Sequence, residues 1–467
     1  MTTSHEARAE SCPPTRGMAP GGLPLLGHAL PLRRRPLEFL AALPAQGDLV
    51  EVRLGPRRMY LACHPDLVQQ VLRDSRTFDK GGPMFDKVRL LTGNGLATSC
   101  WAEHRRQRRL VQPAFHQERM AGYAAVMDHE ITSMLDSWQE GRVLDVHAAM
   151  QALTARVIVR TLFSTRIEDW AVDEIQRCLP VITRGFFTRM VAPLGLMEKL
   201  PTRRNREFDR ALERMRNVID QTVSSHPTGT DHGDLLSSLL GAEDEETGER
   251  LAGHEIHDQV MTLLMGAIET TSNTLAWTYH LLGENPETEA RLHREIDSVL
   301  PGRRPGFDDL PHLGYTQRVV TEALRLYPPT WLLTRSTTCE AELAGLRLAP
   351  GTTVALSFYA LGHNPALFSD PERFDPDRWL PERAKTVPRG AWNSFGGGSR
   401  KCIGDRFATI ETTLVLAAVA SGWRLKPHPG PSIRPEPKAS LSTGPLPMIP
   451  ERRRQGSSAP PGPLSRE

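Results

Sequence analysis

The sequence predicts a mainly α protein, folded as one large domain with a small β portion. Three observations point there. Between about residues 64 and 330, apolar side chains recur at spacings of three and four, the period of a helix with one buried face. Strand-like runs are few and short. No internal repeat and no flexible linker divides the 467 residues, so a single helical unit is favoured over the three domains that length alone would imply at ~150 residues each.

Taken in order, residues 1–20 are polar and proline-bearing, without a signal peptide's apolar segment, and read as a flexible lead. "PGGLPLLGHALPLRRRP" (20–36) is apolar in patches. Pro20, Pro24, Pro31 and Pro36 break any helix there, which leaves an extended lead-in lying on the surface. "DLVEVRLG" and "RMYLACH" then read as strands. "DLVQQVLRD", "YAAVMDHEITSMLDSW", "REFDRALERMRNVIDQTV" and "TQRVVTEALRLY" read as amphipathic helices. "GAEDEETGER" (241–250) is expected to be a solvated acidic turn between helices. "AELAGLRLAPGTTVALSFYA" returns to strand, with a turn at Pro350–Gly351. The main domain is set at 21–450, and "ERRRQGSSAPPGPLSRE" (451–467) is read as a disordered tail.

Hydrophobic residues make up 39%, enough for a large core, and no uncharged run approaches the ~18 residues of a spanning helix. A cytoplasmic protein with no membrane partner is expected. The formal net charge of +2 disfavours nucleic acid as a partner. The six cysteines (Cys12, Cys63, Cys100, Cys178, Cys339, Cys402) are scattered without any CxxC, which reads as isolated thiols in a reducing compartment.

One thiol stands apart. "FGGGSRKCIG" (395–404) places Cys402 behind three glycines and two cations, just before the helical pattern "IGDRFATIETTLVLAAVA", whose Ala408, Leu414 and Val415 face inward. A helix N-terminus and the charges of Arg400 and Lys401 favour a thiolate. Gly396, Gly397 and Gly398 allow a tight turn against something flat. The loop alone leaves an inert thiol or a nucleophile open beside a metal ligand.

Phe395, Gly398, Arg400, Cys402, Gly404 and Ala408 together form FxxGxRxCxGxxxA, which resembles the haem-binding signature of the cytochrome P450 family. "EALR" gives Glu322 and Arg325 as ExxR, and "PERF" (371–374) gives Arg373 as the third member of that ion-pair cluster. The resemblance runs from about Gly22 to Pro450. It implies a triangular helical prism with small β-sheets and a haem b (iron protoporphyrin IX) between distal and proximal helices. Cys402 is implied as the iron ligand, Phe395 as its neighbour, and Glu322, Arg325 and Arg373 as a buried structural network.

"HEIHDQVMTLLMGAIETTSNTLAWTYHLLGENP" (254–286) reads as a helix of roughly 45 Å at 1.5 Å per residue. Gly266, Ala267, Thr270 and Thr271 in its middle are poor helix formers apart from alanine; they serve either a close helix crossing or a groove over a flat cofactor. "GAIETT" resembles the family's oxygen-binding motif, with Ala267 where glycine is more usual. Glu269 and Thr270 map onto the acid–alcohol pair that supplies protons for O–O cleavage. His254 and His257 miss the HExxH spacing and read as a solvated helix start.

The basic helix "WAEHRRQRRLVQPAF" (101–115) resembles the family's (W/H)xxxR element through His104 and Arg108; Trp101 and Arg105 also fit, but the trailing "PAF" selects the former. Arg335 and Arg400 complete the implied propionate ligands. Arg105, Arg106 and Arg109 are left as solubilising charges or a docking face for an acidic electron donor. No flavin or iron–sulfur segment is present, so a ferredoxin and an NAD(P)H-ferredoxin reductase are implied, with a monomeric enzyme.

Phe186, Phe187, Met190, Trp331 and Leu332 offer apolar surface for a hydrocarbon-like substrate. "GFFTRMVAPLG" with "RRNREFDRAL" looks like bacterial oxygenases of sesquiterpenes such as pentalenene. The expected activity is insertion of one oxygen atom from O2 into an unactivated C–H of an apolar molecule in secondary metabolism. A fatty acid, steroid or polyketide hydroxylase stays open, as does a haem-binding protein that is not a monooxygenase. Isomerases, dehydratases and peroxide-driven hydroxylases often lack a threonine at position 270, so its presence here counts against them.

Overall fold

The computed structural model describes residues 14–164, 169–191, 200–227 and 229–453. The chain forms two compact units interleaved in sequence. One takes Met1–Asp86, Trp331–Pro371 and Val387–Lys401; the other takes Lys87–Thr330, Glu372–Thr386 and Cys402–Glu467.

The first unit is built on a six-stranded sheet in the order Arg16–Met18, Leu49–Leu54, Arg57–Ala62, Thr353–Leu356, Leu333–Thr337, Phe78–Asp79. The pairings of the first strand with the second and of the third with the fourth are parallel; the other three are antiparallel. Strand periodicity sends alternate residues to opposite faces, and each face has its own core. Val50, Val52, Leu61 and Ala355 meet Leu40 and Leu43 of the N-terminal helices on one side. Leu49, Ala62, Val354 and Leu356 meet Val68, Val71 and Leu72 on the other. The latter three come from the helix Pro65–Arg73, which His64 caps by accepting from the Asp66 N–H at 3.2 Å.

Two findings differ from the sequence reading here. Strand pairing begins at Arg16, inside the stretch taken as a flexible lead, with Arg16–Met18 in register with Leu49–Glu51. The supposed extended lead-in holds two short helices, Ala29–Arg34 and Pro36–Ala42. Their prolines fall in the first turn, where no N–H has an intrahelical partner to lose.

The second unit carries most of the helices. Its axis is Gly253–Glu284, within two residues of the expected span at each end, packed along Val146–Phe163. Thr154 Oγ1 donates to the Ile268 carbonyl at 3.2 Å across this contact. Near the far end, Trp277 is fully buried, stacks on Tyr327 at 3.7 Å between ring centroids, and donates its indole N–H to the Leu441 carbonyl at 3.0 Å. A small sheet of Leu144–Asp145, Trp423–Pro427 and Pro447–Arg452 closes this unit, running two residues past the boundary drawn at 450.

Helix Asp405–Gly422 is buried throughout 410–420, with Leu414 and Val415 buried as expected and Ala408 half-buried. It also buries Glu411, whose Oε1 has no hydrogen-bond partner. Burial raises this carboxyl from 4.5 to about 8. The folded state therefore binds a proton that the unfolded state releases above pH 4.5, so stability is full below that pH and falls as pH rises towards 8. Glu411→Gln is expected to flatten this slope and to stabilise the protein at pH 8 by a few kcal/mol, an effect on the order of one 1.4 kcal/mol step per pH unit. Urea titrations at several pH values check it.

Candidate active site

Cys402 is exposed and sits three residues before Asp405, the first residue of its helix, with Gly404 at the N-cap. The unpaired N–H groups of a first helical turn and the helix dipole act on this position. In the same unit, His104 and Arg108 lie on the helix Trp101–Val111; His104 is buried and Arg108 half-buried, while Arg105 faces solvent beside the Trp101 ring. Burial lowers the Arg108 pKa, and the charges of Cys402 and Asp405 pull it back up. The cation and the thiol are thus near enough to bias each other.

The loop before Cys402 belongs to the first unit. Gly396 and Gly398 take φ of 72° and 63°, the region that side chains avoid. At Gly398 space is closed as well, since an added Cβ would sit 2.2 Å from the Leu72 carbonyl oxygen. Gly398→Ala should destabilise the fold by about 1–3 kcal/mol, read as a lowered thermal midpoint with reduced haem retention. Phe395 is half-buried in this loop. Arg400 is buried and ion-paired with Asp79. Arg335 is buried too, donates to the Thr334 carbonyl at 2.9 Å, and is pushed down to about 10 by burial and then by the Arg400 charge. Two buried guanidinium groups around one carboxylate make a locally cationic interior, suited to an anionic guest.

In the second unit the middle of the long helix opens. Gly266 is exposed and an added Cβ there would meet nothing within 4 Å. Ala267, Glu269 and Thr270 are half-buried, whereas Thr271–Tyr279 are all buried. Thr270 Oγ1 donates to the Gly266 carbonyl at 2.6 Å. Ser272, Thr274 and Thr278 repeat the bond to the carbonyl four residues back, at 2.7, 2.8 and 2.7 Å. Glu269 retains some exposed surface, yet the atoms packed around it desolvate its carboxyl and raise it from 4.5 to about 7, with Lys438 opposing.

The second unit also holds a buried ionic network. Glu322 and Arg325 are both 0% exposed at their side chains and form a bidentate pair, with Nη2–Oε1 at 2.8 Å and Nε–Oε2 at 2.9 Å. Trp379 Nε1 and the Asp375 N–H also donate to Glu322, at 2.9 and 3.1 Å. The second guanidinium on this carboxylate is Arg378, at 3.3 Å, and not Arg373. Arg373 is exposed and contributes its backbone carbonyl to Arg325 at 3.2 Å. "PDRW" (376–379) repeats the Pro–acid–Arg–aromatic pattern of "PERF" five residues later. Only the second copy lies on the short helix Pro376–Trp379 that packs on the ExxR helix Gly314–Leu326.

The acidic segment 241–250 is also more than a solvated turn. Asp244 is buried, accepts the Glu246 and Thr247 N–H groups at 3.0 and 3.3 Å, and pairs with Arg109 at 2.7 Å. Arg106 pairs with Glu255. These two arginines are therefore committed to holding the helix start, which their basic neighbours concealed in the sequence. His254 is exposed, and no group of three or more His, Cys, Asp or Glu able to hold a metal occurs among the described residues. Of the apolar candidates, Phe186 is buried in the second unit, and Trp331 and Leu332 pack on the core of the first. Phe187 and Met190 have side chains outside the described set.

This donor set fits a haem. In the second unit, a single thiol at a helix start needs no further protein ligand to hold a porphyrin iron, the half-buried Arg108 suits a propionate, and an exposed mid-helix glycine leaves room for a flat ring. No helix among the described residues is long and apolar enough to cross a membrane.

The profile of the family described as cytochrome P450 matches residues 18–451. Cyclooctatin synthase of Streptomyces melanosporofaciens is 56% identical over 93% of this chain and 95% of its own length. Cyclooctat-9-en-7-ol 5-monooxygenase of the same organism is 55% identical over 97% and 99%. Pentalenene oxygenase of Streptomyces avermitilis is 43% identical over 91% and 94%. Among solved structures, the crystal structure of the cytochrome P450DA haem domain superposes with a TM-score of 0.84 at 28% identity, covering 95% of this chain and 99% of that one.

Proposed function

The chain belongs to the cytochrome P450 family and is a haem monooxygenase, and from that premise we propose that it hydroxylates a cyclic terpene. The observation that carries this is relatedness at 55–56% identity over nearly the whole chain to enzymes named for cyclooctatin and cyclooctat-9-en-7-ol. A ring alcohol of that kind is the first candidate. A sesquiterpene hydrocarbon such as pentalenene is the second, supported by the 43% relative.

Bound haem b supplies the activation of O2; one oxygen atom enters the C–H bond, and two electrons and two protons take the other to water. The chain's part is as follows. Cys402 Sγ would hold the iron as a thiolate, a form that a helix start and a nearby guanidinium favour. Arg335, Arg400, His104 and Arg108 would bind the propionates, Phe395 would shield the thiolate, and Ala267 would leave room for O2. Thr270 Oγ1 donates its one proton to the Gly266 carbonyl at 2.6 Å, and would turn from that bond to present the hydroxyl proton to the site. Glu269, half-protonated near pH 7, replaces it. Electrons come from a ferredoxin and its reductase, and the enzyme works as a cytoplasmic monomer.

Thr270→Ala should lower product formation by up to about 10²-fold, the scale of a lost proton donor, while consumption of reduced ferredoxin continues. Product per electron measures this. The substrate reading is tested with haem-loaded enzyme, reduced ferredoxin and a panel of cyclic terpene alcohols, terpene hydrocarbons and fatty acids, followed by mass spectrometry for a gain of one oxygen atom. Conversion confined to the fatty acids would sink it.

A further inference from the structure

We propose that the N-terminal turn Leu23–Gly27, with the arginines around it, docks the enzyme peripherally on an anionic lipid surface. Among the described residues, four of the eight conspicuously exposed large apolar side chains fall within nine residues: Met18 at 53%, Leu23 at 43%, Leu25 at 94% and Leu26 at 55%. Single exposed apolar residues are ordinary, but a cluster marks an interaction site.

The turn is rigid. Leu23 and Gly27 exchange backbone hydrogen bonds at 2.9 and 2.8 Å, and the Leu26 N–H donates to the Pro24 carbonyl at 2.7 Å. Gly27 lies so close to Arg53 that an added Cβ would be 2.3 Å from its carbonyl oxygen. His28 clamps the base. Its Nδ1 accepts the Arg53 N–H at 3.0 Å and its Nε2 donates to the Ala19 carbonyl at 2.8 Å. At the tip, Leu25 takes φ 65°, a strained conformation for a residue with a β carbon, and its side chain stands almost wholly in solvent. The fold thus holds a leucine outward against both backbone preference and hydrophobicity.

The surround is basic. Arg33, Arg34 and Arg35 are exposed just downstream. The hairpin tip carrying exposed Arg57 and Arg58 touches the turn through the Gly55 N–H to the Leu26 carbonyl, at 3.1 Å, and a Gly27–Leu54 bridge. The nearby acids are already matched, Glu51 with Arg53 at 2.7 Å and Glu38 with Arg35 at 3.4 Å. A second copy of the chain would bring arginines against arginines. One turn is also far smaller than the ~800 Å² per partner of a stable protein interface. A lipid surface has no such size requirement, because inserted leucines and headgroup-facing arginines contribute separately.

The test uses the haem-loaded full chain with vesicles of phosphatidylcholine, alone or mixed with phosphatidylglycerol. Expected results are co-sedimentation with the anionic vesicles, loss in high salt, and a drop of more than tenfold in L25D/L26D. Each of R33Q and R34Q should weaken binding about fivefold. The carbon monoxide spectrum should be unchanged throughout, showing that the variants fold. A tryptophan placed by L25W should shift to the blue on anionic vesicles. Absence of co-sedimentation overturns the proposal, as does binding that L25D/L26D leaves intact. An L25W emission that moves only with an acidic protein does so too.

Discussion

A Cys402→Ser chain is expected to fold, to lose the red-shifted Soret band that thiolate-bound haem shows when reduced and exposed to carbon monoxide, and to form product only at background. The argument is electrostatic. Position 402 lies at a helix start, with Arg108 within reach of its charge, and both favour an anionic ligand there. A serine hydroxyl, far less acidic, does not ionise under the same influences and offers no soft anionic donor. The side chain lies outside the protein core, so the chain should fold with wild-type helix content, read by far-ultraviolet circular dichroism. A serine chain that kept both the band and the activity would remove the ligand assignment and the proton-delivery roles built on it.

The second large effect concerns stability. Glu322→Ala is expected to destabilise the protein by about 3–5 kcal/mol, because it strands buried positive charge. Arg325 is 0% exposed at its side chain and Arg378 is 6%, so neither guanidinium recovers its hydration when the carboxylate goes. Against a typical total of about 5–15 kcal/mol, that loss should appear as insoluble or haem-free protein. Arg373→Ala supplies the contrast. That side chain is exposed, and its removal should shift stability by no more than about 0.5 kcal/mol. Chemical denaturation of the two variants beside Arg378→Ala decides which arginine completes the cluster.

That pair also shows what the sequence carried and what it hid. Long helices were readable because an amphipathic stripe repeats many times: Gly253–Glu284, Arg203–Ser225 and Gly314–Leu326 all lie close to their expected spans. The Pro350–Gly351 turn was readable because Gly351, at φ 80°, supplies a conformation few residues adopt. Strands such as Phe78–Asp79 and Leu441–Ser442 were not, since two residues have no period to detect and exist only through their partners. Arg373 and Arg378 share one local pattern, and burial, which separates them, is a tertiary property. Asp244 was hidden for a related reason: among five acidic neighbours, nothing local marks the one that folds under Arg109. Of the proposed site, the motif spacing marked Cys402, Thr270 and Glu269. The raised Glu269 carboxyl follows from packing that no local pattern encodes.

The interleaving of the two units has a practical meaning for anyone handling the gene. The backbone passes between them at 86/87, 330/331, 371/372, 386/387 and 401/402. No single scissor cut in the coding sequence yields either half intact, so truncation libraries and split-reporter fusions made at one junction should return only fragments with incomplete interiors. The last passage falls on the peptide bond between Lys401 and Cys402. A ribosome therefore commits Cys402 to the chain only after every strand of the six-stranded sheet has been synthesised.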